Sequence, residues 1–284
     1  MLRAAQINAA RPVSEVKAGY AGPPLSRTAM TIRYVARTDV GMRRSHNEDC
    51  FGILEADCLV LVADGMGGHA AGEVASGLAT TEVATFYHQT YVKPEVTWPF
   101  EREPALSALE NRLVCGFKVA NKAIFDMANS DRGRKGMGTT LVAAAIVENQ
   151  ICIAHVGDSR AYRIGDTEIE RLTRDHSLLE QFKELYPEMT PAEEANFPHK
   201  NVITRALGLA DDVEVDVQSH ELWEGDVFLL CSDGLSGHLS DQEMLEIVRG
   251  TPDLSRAVAE LVERANELGG HDNITVVALA VGVL

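Results

Sequence analysis

Four aspartates, Asp64, Asp158, Asp233 and Asp272, each stand at the edge of a short apolar run: LVLVADG, IAHVGDS, FLLCSDG and HDNITVVALAV. Runs of that length read as buried strands, and a carboxylate at the tip of each is poised to leave the core and face a shared rim. Carboxylates gathered in one place repel one another and raise each other's pKa, so the pattern makes physical sense chiefly when divalent cations neutralise it. Hard oxygen donors select magnesium or manganese. Histidine pairs at zinc-ligand spacing are absent, so zinc is not expected. Taken singly, an Asp before a Gly is as often a turn former or helix cap as a ligand. The set of four carries the metal reading.

The elements that must position these groups can be read from periodicity. Residues 31–40 suggest a strand, the polar loop GMRRSHNED follows, and FGILEADCLVLVADG reads as two strands joined around Glu55 to Asp57. Residues 70–91 and 105–130 have helical spacing, with Pro94, Pro99 and Pro104 punctuating the stretch between them. TLVAAAIVE, ICIAHVGDS, AYRIG and EIERLT are four strand-like segments whose connections are too short for crossover helices, so they are expected to pair antiparallel. Residues 174–201 turn polar and helix-forming, and Thr190, Pro191 and Glu193 supply a capping box with Pro at the first helical position. VEVDVQSHEL and DVFLLCSDG resume the strands. Ser240 and Glu243 cap a helix, Thr251-Pro252 opens another that Gly269-Gly270 ends, and NITVVALAV is the last strand.

Hairpins interrupted by helix pairs argue against a doubly wound parallel sheet. The expected fold is α+β, a four-layer α-β-β-α sandwich of two antiparallel β-sheets flanked by helix pairs, with a small helical insertion at 174–201. A chain of 284 residues with 45% apolar content supports one large domain, assigned to residues 30–284. Residues 1–29 lack periodicity, contain Pro12, Pro23 and Pro24, and carry four basic residues against one acidic, so they read as a flexible leader. A targeting peptide is one account of that leader. A start codon placed too early is another, since Met30 immediately precedes the first strand.

A balance of 26 basic to 42 acidic residues, net −16, repels phosphate backbones and anionic membranes, so neither nucleic acid nor membrane is an expected partner. No stretch approaches the roughly 20 consecutive apolar residues of a membrane span. Five scattered cysteines without a C-x-x-C pair fit reduced thiols in a cytoplasmic protein. Nothing in the pattern points beyond a monomer.

The ordered set R-S-H-N-E-D (44–49), A-D-G-M-G-G (63–68), G-M-G-T-T (136–140), V-G-D-S-R (156–160), I-T-R-A-L-G (203–208), C-S-D-G-L (231–235) and H-D-N-I-T (271–275) resembles the metal-dependent protein phosphatases, the PPM or type 2C family, in their bacterial form. The resemblance spans residues 31 to 281. One Asp-Gly pair is no signal; seven motifs in the family's order are a specific one.

That resemblance implies roles residue by residue. Asp64 is similar to the family's bridging aspartate, shared by two metal ions, with the Gly65 carbonyl adding a backbone oxygen. Asp233 and Asp272 match further ligands of the first metal, and Glu48 holds the second directly or through water. Asp158 resembles the ligand, with Asp233, of a third and weaker metal in bacterial members. Arg44 matches the arginine that grips the substrate phosphate, a task suited to a planar guanidinium with paired donors. Arg43 reads as a surface charge, and Arg160 and Arg205 as structural ties to carboxylates. Asp39 and Asp49 read as a strand end and a supporting hydrogen-bonding group rather than ligands. One departure matters: in animal members a histidine proposed to protonate the leaving group occupies the position of Met66, and methionine donates no proton. His69, typical of the bacterial form, is the substitute the resemblance offers, against a bland reading in which it caps or packs the following helix. The insertion at 174–201 resembles the family's flap, and its composition suggests a polar, mixed-charge surface open to substrate contacts or merely solvated.

The implied activity is metal-dependent hydrolysis of phosphoserine and phosphothreonine in proteins, opposing a serine/threonine kinase. Two Mn2+ or Mg2+ ions activate a water for in-line attack, without a phosphoenzyme. The chain has no G-x-S-x-G elbow, no P-loop and no cysteine followed five residues later by arginine. Two alternatives stand beside this reading: a phosphatase of an anti-sigma-factor antagonist, and a non-catalytic relative that binds phosphoproteins.

Overall fold

The computed structural model describes residues 6–8, 30–67, 71–93, 95–199 and 201–283. The strands are β1 (Gln6–Asn8), β2 (Met30–Asp39), β3 (Asp49–Leu54), β4 (Leu59–Met66), β5 (Gly138–Thr139), β6 (Leu141–Val147), β7 (Gln150–Val156), β8 (Arg160–Ile164), β9 (Ile169–Arg171), β10 (Asp216–Glu221), β11 (Val227–Cys231) and β12 (Ile274–Val283). The helices are α1 (Ala71–Val92), α2 (Ala108–Ser130), α3 (Leu178–Leu185), α4 (Pro191–Ala195), α5 (Asp233–Ser236), α6 (Asp241–Gly250) and α7 (Leu254–Glu267).

Two antiparallel sheets result. One has the order β1-β3-β4-β6-β7-β10 with β5 paired to β4, and the other the order β2-β12-β11-β8-β9. Three apolar layers hold them. Leu59, Leu61, Ala143 and Cys152 point from the first sheet onto Val83, Tyr87, Phe117 and Ile124 of α1 and α2. The alternate residues, Val60, Val62, Ala144 and Ile153, face Phe228, Leu230, Val277 and Leu279 across the sandwich. The other face of the second sheet, with Leu229, Val276 and Ala278, packs on Met244, Val258 and Leu261 of α6 and α7. Because side chains alternate along a strand, runs apolar at every position must be covered on both faces, and that requirement produces the four α-β-β-α layers expected from the sequence.

The capping boxes read from sequence are present: Ser240 with Glu243 at α6, and Thr190 with Glu193 at α4. Three details differ. The segment AYRIG does not continue the antiparallel run of ICIAHV, because Gly157-Asp158-Ser159 carries the chain from β7 in one sheet to β8 in the other. Helix α7 starts at Leu254 rather than at Thr251-Pro252, capped by Asp253, whose side chain accepts the Arg256 N–H at 2.9 Å. Residues 6–8 of the leader form β1 against β3, with Gln6 opposite Ile53, so this part is a strand rather than flexible chain.

Candidate active site

Four of the apolar runs end at one rim. β4 carries Asp64 and Gly65 near its end, the β7–β8 crossing carries Asp158, α5 begins at Asp233 directly after β11, and Asp272 lies just before β12. These carboxyls are close enough that burial first, and then Asp49, Asp233, Asp158 and Asp272, push the Asp64 pKa well above the usual carboxylate range. Asp233 is itself raised by burial and by Asp272. Burial and Asp233 push Asp158 up to about 7. Glu48 is raised by burial against the opposing pull of Arg44. The structure therefore brings together Glu48, Asp64, Gly65, Asp158, Asp233 and Asp272. His69 lies outside the described residues.

Close backbone packing fixes the site. A Cβ on Gly65 would lie 2.1 Å from the Gly72 carbonyl oxygen and 2.6 Å from that of Glu48, and one on Gly72 would lie 2.8 Å from the Glu48 carboxyl carbon. Only glycine allows the end of β4, the start of β3 and the first turn of α1 to meet there. The Glu48 carbonyl also accepts from the Ser76 hydroxyl at 2.6 Å and from the Gly65 N–H at 3.2 Å.

Several polar groups with no role expected from the motifs turn out to brace the carboxylates. Asn273 accepts the Glu48 N–H at 2.8 Å and donates to the carbonyls of Val40 and His46, each at 2.9 Å, strapping the loop before β3 to the Asp272 segment. Thr140 accepts the Asp64 N–H at 3.1 Å and shares a 2.7 Å hydrogen bond with Ser159. Ser232 donates to Asp49 at 2.8 Å. All are the non-acidic members of the same motifs, which was the available signal. Asp49 is buried, its pKa raised by that burial, and it supports from behind as expected; Asp39 accepts from Gly41 and Asn266 and merely closes a strand end.

Arg44 is half exposed and donates from Nη2 to Asp272 Oδ2 at 2.7 Å. Such a solvated pair is worth about 0–1 kcal/mol, so the guanidinium is readily redirected to an incoming anion. Arg160 binds Asp175 through two parallel hydrogen bonds of 2.9 and 2.7 Å, and Arg205 donates to Asp216 at 2.6 Å, the structural roles their motifs suggested.

The donor set suits a hard divalent cation. Among the described residues, Asp49 Oδ1, Asp158 Oδ1 and Asp233 Oδ1 are buried with no hydrogen-bond partner, and unpaired buried carboxylate oxygens are costly unless a positive charge completes them.

A second cluster, invisible in sequence spacing, lies nearby: one ligating atom each from His155, His176 and Asp216 falls within 4.8 Å of the others. It does not suit a metal. His176 Nδ1 accepts the Gly157 N–H at 3.0 Å, so the neutral ring carries its proton on Nε2, and the Arg205 guanidinium stands 3.0 Å from that atom. Arginine already supplies the positive charge there. A cavity of about 600 Å³ opens beside this cluster, lined by His155, Arg171, Arg174, Glu180 and Asp216 and by none of the rim carboxylates.

Residues 42–275 match the family model for protein phosphatase 2C. The serine/threonine phosphatase stp of Listeria innocua is 39% identical over 245 residues, covering 84% of this chain and 92% of its own. PstP of Mycobacterium tuberculosis is 36% identical over 253 residues, covering 89% of this chain and 46% of its own. Among solved structures, the catalytic domain of PstP in complex with two manganese ions superposes with a TM-score of 0.75 at 36% identity, covering 89% of this chain and all of that one. Stp1 from Staphylococcus aureus gives 0.76 at 31%, covering 94% and 99%. The chain belongs to the protein phosphatase 2C family, the metal-dependent PPM phosphatases. Within it, the site and the relatives define a hydrolase, a serine/threonine protein phosphatase acting on phosphoproteins.

Proposed function

We propose that the rim of carboxylates is the catalytic centre of a Mn2+- or Mg2+-dependent phosphatase that removes phosphate from serine and threonine in line, without a phosphoenzyme. The observation that carries this reading is the pair of buried, partnerless oxygens on Asp158 and Asp233. Asp64, Asp233, Asp272, Glu48 and the Gly65 carbonyl are assigned as ligands of two ions, and Asp158 with Asp233 as ligands of a weaker third. When bound, such ions supply an acidified water and neutralise charge on the phosphoryl group. Arg44, freed from Asp272, grips the phosphate oxygens. Asn273, Thr140 and Ser159 hold the carboxylates in register.

The side chains at the centre favour direct hydrolysis. Burial drives the Cys231 thiol up to about 12, far from the thiolate a nucleophile needs. The Ser232 and Ser159 hydroxyls are buried and committed to Asp49 and Thr140. No helix among the described residues is long and apolar enough to cross a membrane. The reading takes the chain as a monomeric cytoplasmic enzyme that opposes a serine/threonine kinase, built as one catalytic domain over residues 30–284.

The test is hydrolysis of p-nitrophenyl phosphate by the purified chain with Mn2+, with Mg2+ and with EDTA. Turnover with the ions and none with EDTA is expected. A chain inert with every divalent ion that still binds a phosphoprotein is a binding module instead.

A further inference from the structure

Two glycines bring the loop after β2 against the segment that carries Asp272. Gly41 has φ +78°, and a Cβ there would lie 2.2 Å from the Asp272 carbonyl oxygen and 2.9 Å from that of Gly270. Gly270 has φ +50°, and a Cβ there would lie 2.8 Å from both the backbone nitrogen and the side-chain Cγ of Met42. Only glycine suits either place, on backbone conformation and on space. The Met42 side chain therefore lies across Gly270. Each of these two residues stands two positions before a member of the site, Arg44 and Asp272 respectively.

The loop is held in place. Met42 donates its N–H to the Gly270 carbonyl at 2.8 Å. The Asp39 carboxylate accepts from Gly41 at 2.9 Å and from Asn266 at 3.1 Å, and the Val40 carbonyl accepts from Asn273 at 2.9 Å. On this fixed turn Met42 is 67% exposed. Val40, two residues earlier, is 36% exposed, and Leu268, two residues before Gly270, is 39% exposed. An apolar side chain left in water forgoes the stabilisation of burial, and a visitor that covers it recovers that term.

What covers Met42 follows from its distance to Arg44. Two residues of chain span at most about 7 Å, and an extended peptide advances about 3.3 Å per residue. A phosphoprotein whose phosphate is gripped by Arg44 therefore brings a side chain one or two positions from its phosphorylated residue over Met42. Methionine is unbranched and polarizable, so it adapts to aliphatic and aromatic partners alike. Arg43, between the two, is exposed as well, which makes an acidic residue the competing occupant. Exposed ion pairs gain little in water, whereas an apolar contact removes area from water on both partners.

We propose that Met42 is a specificity-determining residue, contacting an aliphatic or aromatic side chain one or two positions from the phosphorylated serine or threonine. This rests on the phosphatase reading. The contact is the same in the ground state and the transition state, so it lowers KM and leaves kcat unchanged.

The test uses three phosphothreonine peptides that differ only in the residues flanking the phosphothreonine, which are Leu, Ser or Asp. The enzymes are the full chain as wild type, M42S and M42L, each with Mn2+. Each enzyme is scored by the ratio of its kcat/KM values between peptides, which cancels any loss common to all three. In the wild type the Leu peptide is expected to exceed the Ser peptide about tenfold through KM; M42S is expected to bring that ratio to about one, and M42L to keep it. No Leu advantage in the wild type, an undiminished one in M42S, or one lost as fully in M42L as in M42S overturns the proposal. So does a wild-type preference for the Asp peptide, which assigns the contact to Arg43. A wild-type dimer in light scattering that M42S abolishes also overturns it, because the exposed face is then a contact between copies. Failure of the wild type to turn over p-nitrophenyl phosphate with Mn2+ strikes the phosphatase reading instead.

Discussion

Two neighbouring clusters of ionisable side chains occupy the same end of the sandwich and reach opposite electrostatic solutions. Around His155, His176 and Asp216 the chain completes itself: Arg205 donates to Asp216, and His176 is driven down to about 4 by burial, His155 and Arg205, so both rings stay neutral. At the rim, Asp64, Asp158 and Asp233 lie with raised pKa values, the partnerless oxygens of Asp158 and Asp233 have no cation from the chain, and Arg44 touches only the outer edge at Asp272. Where the protein provides its own counter-charge, the cluster is structural. Where it leaves the charge unbalanced, an outside ion is required, and that distinction separates scaffold from chemistry better than the presence of histidines and acids does.

The sharpest way to break this contrast is to remove a rim carboxylate. Asp64→Ala or Asp233→Asn is expected to cut p-nitrophenyl phosphate turnover by about three orders of magnitude, several kcal/mol of lost transition-state stabilisation. Both variants should retain the wild-type circular dichroism spectrum and, without metal, melt no lower than the wild type because repulsion is relieved. A variant with substantial residual activity at saturating Mn2+ contradicts the assignment. Asp158→Ala should be milder, about tenfold at limiting Mn2+ and recovering as the ion is raised; wild-type kinetics at every Mn2+ concentration remove that residue from the centre.

Acidity offers a third lever. A carboxylate raised in the folded state destabilises the metal-free protein as pH climbs from its unfolded value near 4 toward its folded one, about 7 for Asp158, because the unfolded chain ionises first. Buried neutral His155 and His176 act in the opposite sense below about pH 6.5, so metal-free melting alone mixes the two clusters. The gain in melting temperature on adding Mn2+ isolates the rim, and it should grow from pH 5 to pH 8; a constant gain means that the acids are not the ligands. The smallest effect belongs to the self-completed cluster. Arg205→Gln should cost about 1 kcal/mol in urea unfolding while leaving the Mn2+ requirement intact, and a changed metal requirement would erase the distinction between the clusters.

Much of this was legible in the chain. Runs such as LVLVADG and FLLCSDG declare strands covered on both faces, and Ser240 with Glu243 and Thr190 with Glu193 declare helix starts, because these signals are local. The motif acids gathered as expected for the same reason: each sits at a strand end. What the sequence hid depends on partners distant along the chain. Gly157 to Ser159 crosses between sheets rather than turning a hairpin, a choice fixed by which cores β7 and β8 fill. His155, His176 and Asp216 converge only once β10 pairs with β7, placing Asp216 opposite His155. Glu180 is inward only because Arg171 and Arg174 wait beneath it.

The position of β12 carries a consequence for how the enzyme comes into being. This strand is inserted between β2 and β11, pairing Met30 with Val283 along one side and Val227 with Ala280 along the other. Without β12, β2 has no neighbour in its sheet and Asp272 loses the strand that anchors it at the rim, so one segment distant from β2 in sequence completes both the sheet and the carboxylate cluster.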